Sequence, residues 1–119
     1  MSITPDKDER PAAVTQVLGE QYAVPGAWVI GVRGDLDLDT LAPLRDALEA
    51  AVAEHPVTIL DASGITFADS SALNLLLNTA QGTDLRIAAP SASLLRLLRI
   101  TGADQVLSVR SDVARAADG

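Results

Sequence analysis

The chain contains no cysteine, one histidine, one methionine and three aromatic residues: Tyr22, Trp28 and Phe67. Without a thiol there is no disulfide, no thiolate nucleophile and no thiolate-ligated metal. With His55 as the sole imidazole, a Ser–His–Asp device has one candidate base, and a zinc site is short of donors. His55 stands directly before Pro56, so its expected place is a helix C-terminus, in an exposed or capping role. Positive charge is also scarce, with nine Lys and Arg against sixteen Asp and Glu and a net charge of −7. That balance disfavours nucleic-acid phosphates and anionic membrane surfaces as partners. No apolar run approaches the roughly 18 residues of a membrane-crossing helix. The charged start, MSITPDKDER, lacks the apolar stretch of a secretory signal. Phosphate-cradling motifs of the G-x-x-x-x-G-K-[ST] and G-x-G-x-x-G types are missing, as is the G-x-S-x-G elbow. The expectation is a cytoplasmic protein with no catalytic residues, no bound cofactor and no metal.

What is present is an aliphatic core. The 119 residues suffice for one domain, and 48% of them are hydrophobic, mostly Ala, Val, Leu and Ile. Residues 1–13, with two prolines and mixed charge, read as a flexible tail. A weak first strand is placed at Val14–Gly19 and a turn at Tyr22–Gly26, where Pro25-Gly26 punctuates the chain. Ala27–Arg33 is β-branched and apolar, a strand ending at Gly34. Leu41, Leu44, Leu48 and Val52 recur at helical spacing, with Asp39 or Thr40 as N-cap and Pro43 tolerated in the first turn. Val57–Leu60 reads as a central strand and Asp61–Ala68 as a loop. Asp69 caps a helix striped by Leu73, Leu76 and Leu77, which closes with Gly82 as a C′ residue. A strand at Leu85–Ala89, a helix striped by Leu94, Leu97 and Leu98, an edge strand at Val106–Val109 and a short helix at Asp112–Ala117 complete the chain. Alternating strands and helices predict an α/β fold, with a mixed, mostly parallel central sheet packed with helices.

Two groups of carboxylates attract chemistry: Asp35, Asp37 and Asp39, and the pair Asp61 and Asp69. Both stand where strands end, the usual place for sites in α/β folds, and oxygen ligands suit a hard cation. Aspartates also cap helices and solvate loops, which is the preferred role for them here. The run Leu60–Leu73 is more distinctive, because it joins a central strand to a helix that begins Asp69-Ser70-Ser71. With Asp69 as cap, Ser70 and Ser71 take the first two helical positions, beside amides without intrahelical partners. Ser70 is expected to face outward. A phosphate there would gain from the helix dipole and lose to the Asp69 carboxylate, leaving the fold nearly unchanged. A docked partner, in contrast, would have to bury about −1.5 to −2 charges.

The segment DASGITFADSSAL, Asp61 to Leu73, resembles the signature of STAS domains of the anti-sigma factor antagonist family, D-x-S-G-[hydrophobic]-x-F-x-D-S-S-[small]-L. Upstream, Gly34-Asp35-Leu36-Asp37-Leu38-Asp39-Thr40 is similar to the family's G-[ED]-[LI]-D-x-x-T element. The resemblance covers 14–117, the expected STAS domain. It implies a non-catalytic, phosphorylation-controlled switch that sequesters an anti-sigma factor serine kinase and so frees a sigma factor. A serine phosphatase would reset it. It also implies Ser70 as the phosphoacceptor, with Asp37, Asp69 and Ser71 as partner-binding residues. One departure is Ala72, where many members carry Gly. Two other readings remain open: a STAS subunit of a stressosome-like or lipid-transport complex, and a small metal-dependent α/β enzyme built on Asp35, Asp37, Asp61 or Asp69.

Overall fold

The computed structural model of the protein describes residues 17–118; the expected tail at 1–13 lies outside them. Its strands are β1 (Leu18–Val24), β2 (Ala27–Leu36), β3 (Val57–Ala68), β4 (Asp84–Ala88) and β5 (Ser108–Arg110). Its helices are α1 (Ala42–Glu54), α2 (Ser70–Gly82), α3 (Ala92–Thr101) and α4 (Val113–Asp118), with a single 3₁₀ turn at Ala103–Gln105. The strands lie side by side in chain order. β1 is antiparallel to β2, and every other pair is parallel. Crossovers of one hand in a sheet of this order put α1, α2 and α3 on the same face.

Packing follows that geometry. Leu44, Leu48 and Ala51 of α1, Leu73 and Leu76 of α2, and Leu94 and Leu98 of α3 form one cluster with Ile30, Val32, Leu60, Ile65, Leu85 and Ile87 of the sheet. Each fully buried Leu or Ile contributes about 1.5–3 kcal/mol relative to exposure. On the other face Ala27, Val29, Ile59 and Ala88 meet Ala116 of α4. Arg86 steadies this short helix, donating from Nη1 to the Ala116 carbonyl at 2.6 Å while Asp84 accepts from its Nη2 at 2.9 Å and its Nε at 3.2 Å.

Several local expectations are corrected. Of the strand expected at Val14–Gly19, residues 14–16 lie outside the described residues; β1 runs Leu18–Val24, and the turn is confined to Pro25 and Gly26. Residues 20–23 are exposed at the sheet edge, so backbone pairing of Tyr22 with Val29 and Ala23 with Trp28 defines this strand without an apolar period. β2 does not stop at Gly34 but kinks there: Gly34 adopts φ 79°, a region open chiefly to glycine, and the strand continues to Leu36. The expected loop Asp61–Ala68 is strand throughout. Its turn-forming residues are overridden by pairing with β2, from Gly31 opposite Asp61 to Leu36 opposite Ala68. The register shifts twice along this stretch, and each time β3 carries one extra residue. Gly64 eases a close approach at the first shift, since a Cβ there would lie 3.0 Å from both the Arg33 Cβ and the Val32 carbonyl oxygen and would force them to give by a few tenths of an ångström.

Neither Asp39 nor Thr40 caps α1. Leu41 occupies that position without a side-chain cap, because both expected residues are bound into the turn that precedes it. Gly82 is the last residue of α2 and not a left-handed C′ residue; Thr83, in extended conformation, leads straight into β4. His55 is at the C-terminus of α1, where its backbone amide bonds the Ala51 carbonyl at 2.8 Å. Its ring stacks on Trp28 with centroids 4.9 Å apart and planes 10° from parallel, a contact the sequence did not suggest.

Thr58 is fully buried in β3, and its hydroxyl has no partner among the described residues. A buried unbonded hydroxyl carries a desolvation penalty that an isosteric methyl group lacks. Replacing Thr58→Val is therefore expected to raise the unfolding free energy by about 1 kcal/mol, measured by urea denaturation. A variant less stable than the parent would show that the hydroxyl is bonded.

Candidate functional site

The β3–α2 junction brings the sequence-predicted residues together. Asp69 has extended backbone, and its Oδ1 accepts from the amides of Ser71 at 2.9 Å and Ala72 at 3.1 Å. This one oxygen satisfies two of the amides that a helix start leaves open. The Asp69 amide in turn donates to the Leu36 carbonyl at 3.1 Å, which ties the helix start to the end of β2. Ser70 and Ser71 occupy the first two helical positions. Ser70 is exposed, and its hydroxyl has no hydrogen-bond partner among the described residues. Ser71 is half-buried, while Ala72 and Leu73 turn into the core.

Asp37 sits beside this helix start, in the turn that follows β2. Its Oδ1 accepts from the amides of Asp39 at 3.0 Å and Thr40 at 3.2 Å. Thr40 closes the turn by donating its hydroxyl to the Asp35 carbonyl at 2.8 Å and accepting from the Asp37 amide at 3.0 Å. The Asp35 carboxylate accepts from the Thr66 hydroxyl at 2.6 Å, joining the tips of β2 and β3. Ser93, in the first turn of α3, donates to the Thr66 carbonyl at 3.1 Å. The roles of Asp35, Thr40, Thr66 and Ser93 in this frame were not legible in advance. The bonds of Asp35 and Ser93 to Thr66 depend on a strand where the sequence suggested a loop.

The carboxylates have structural duties. Asp61 accepts from the amide and hydroxyl of Ser63, at 3.2 and 2.9 Å, a local bond within β3. Among the described residues no three His, Cys, Asp or Glu side chains gather in the arrangement of a metal site. Ion pairs are also elsewhere, at Arg86–Asp84 and Arg115–Asp112. Asp35, Asp37, Asp39 and Asp69 form no ion pair among the described residues, and the Asp69 carboxylate is directly adjacent to Ser70 in the chain. A recess of about 460 Å³ lies between α1 and α2, lined by Leu48, Val52 and Leu75, and Ser70 is not part of it. The surface at Ser70 is an exposed helix start, suited in shape to a macromolecule and not to an enclosed small molecule.

Fold and site together define a small α/β domain with an exposed serine at a capped helix start. The family profile described as "Mlab, STAS domain" matches residues 22–109, and the chain belongs to the STAS domain family. Among solved structures, an anti-sigma factor antagonist from Mycobacterium paratuberculosis is similar at 26% identity and TM-score 0.73, over 82% of this chain and 87% of that one. SpoIIAA, the Bacillus cell fate determinant, is similar in fold at 18% identity over 85% of this chain. Its unphosphorylated form gives a TM-score of 0.67 over 93% of that chain, and its phosphorylated form 0.65 over 96%. No curated protein sequence matches the chain significantly. No helix among the described residues is long and apolar enough to cross a membrane.

The cap makes a separable prediction. Asp69→Ala removes the acceptor of two amides and is expected to cost about 1 kcal/mol of stability, whereas Asp69→Asn keeps an acceptor and most of that energy. Urea unfolding of the two variants checks it. Equal losses would assign the effect to charge and not to the cap.

Proposed function

We propose that this chain is an anti-sigma factor antagonist: a non-enzymatic switch in the cytoplasm that binds an anti-sigma factor serine kinase and thereby frees a sigma factor. Ser70 is the phosphoacceptor, Asp37, Asp69 and Ser71 contact the partner, and a serine phosphatase resets the cycle. The observation that carries this reading is the Ser70 hydroxyl, solvent-facing and unbonded among the described residues on the first turn of a helix already capped by Asp69. It is supported by the antagonist from Mycobacterium paratuberculosis at 26% identity and by a structural neighbour solved in phosphorylated form.

The electrostatics give the switch its direction. Two nearby amides, those of Ser71 and Ala72, already donate to Asp69. A phosphate on Ser70 therefore finds few free donors in its own chain and lies beside the Asp69 carboxylate. It remains hydrated and faces outward, so the fold tolerates it. A partner covering Ser70 would have to strip water from about −1.5 to −2 charges, and that complex is strongly disfavoured.

The test is incubation with ATP and a kinase-type anti-sigma factor from the same genome, followed by mass spectrometry. The expected result is one phosphate on Ser70, none on Ser70→Ala, and loss of the complex on phosphorylation. Stable association with a stressosome-like or lipid-transport assembly, without phosphate transfer, would replace this reading with that of a STAS subunit.

A further inference from the structure

Five large apolar side chains are exposed among the described residues: Tyr22, Leu38, Phe67, Ile100 and Val106. Two of these are at the Ser70 end of the sheet. Leu38 is 72% exposed and Phe67 51%. Phe67 comes three residues before Ser70, and Leu38 two residues after Leu36, whose carbonyl holds the Asp69 amide.

The exposure of Phe67 follows from the second register shift. Ile65 is 2% exposed and faces the core, so regular alternation would return Phe67 to the same face. Gly34 pairs with Ile65 but Asp35 pairs with Phe67, which leaves Thr66 as the extra residue of β3. Ala68 then packs against the core and Phe67 is turned outward. Re-aiming a side chain is a known consequence of such irregularities. Leu38 is presented by the turn that the Asp37 carboxylate and Thr40 hydroxyl lock with four hydrogen bonds. Both side chains project from ordered backbone, so burying them in an interface costs little ordering entropy.

We propose that Leu38 and Phe67 are the apolar anchors by which the unphosphorylated chain grips its protein partner. Their seat is an apolar recess on that partner, rimmed by Arg or Lys. This proposal rests on the reading of Ser70 as a phosphoswitch. The basic rim follows from charge: Asp37 and Asp39 flank Leu38 in the chain, Asp35 is paired with Phe67 and Asp69 comes two residues after it, and none of the four forms an ion pair among the described residues. Anchors of this kind, desolvated inside a ring of polar contacts, carry most of the affinity in protein interfaces. A phosphate on Ser70 acts at this spot because water drawn to it would prevent the anchors from drying.

The experiment measures affinity for the kinase-type anti-sigma factor by calorimetry, using the whole chain. Leu38→Ala and Phe67→Ala are each expected to weaken binding by about tenfold or more. Ile100→Ala, equally exposed but at the other end of α3, should leave it within about twofold. If both site variants bind like the parent while Ser70→Asp does not bind, the anchors are refuted and the phosphoswitch stands. If the parent chain itself fails to bind, both ideas fall. Leu38 stands on a solvent-facing turn, so its variant decides the matter should Phe67→Ala prove unstable in urea.

Discussion

At the junction of β3 and α2, one carboxylate oxygen holds two backbone amides, and the candidate site depends on that arrangement. Asp69 Oδ1 starts α2 at Ser70 by bonding Ser71 and Ala72. Its own amide reaches back to Leu36 at the end of β2. A helix started one residue later would move Ser70 out of the first turn and rotate Leu73 and Leu76 away from the core. The cap therefore couples two requirements: an apolar stripe facing the sheet, and a hydroxyl facing solvent. It also keeps the amides of Ser71 and Ala72 occupied, so these two are not open to an anion. Helix starts commonly bind phosphate, but here the two donors are already committed to a side chain.

Around that junction the strand tips form a frame that extends beyond any single element. Asp35 bonds Thr66, Thr40 bonds Asp35, and Ser93 bonds the Thr66 carbonyl. β2, β3 and the starts of α2 and α3 are thereby held as one unit above the core. Such a frame favours a switch whose effect is felt at the surface. A rigid scaffold changes what its partner meets without changing its own packing, because charge added at an exposed position removes no buried contact.

Much of this was legible in the sequence, and each failure has a physical cause. The β–α alternation, the Asp69 cap and the positions of Ser70 and Ser71 followed from local chemistry: capping preferences and helical spacing are properties of a few neighbouring residues. Asp61–Ala68 misled because Asp61, Ser63 and Gly64 favour turns locally, while pairing with β2 is a long-range effect invisible in a short window. The cap of α1 was placed on Asp39 or Thr40 for a different reason: a capping preference alone does not reveal that Thr40 is already engaged in a local turn by Asp35 and Asp37. The extension of β1 beyond Gly19 to Val24 was missed because an edge strand with exposed residues 20–23 needs no apolar alternation. At the site, the phosphoacceptor candidate was readable from the motif. The outward turn of Phe67 was not, because it arises from a register shift between two strands.

The central claim is that charge on Ser70 acts on a partner and not on the fold. The direct measurement compares the Ser70-phosphorylated chain with the unmodified one in both thermal unfolding and kinase affinity. The account predicts a change in Tm of no more than about 2 °C, under 1 kcal/mol for a domain of this size, together with a loss of affinity of about a hundredfold or more. A phosphorylated chain that melts many degrees lower, and loses affinity only in proportion to the fraction unfolded, would contradict it.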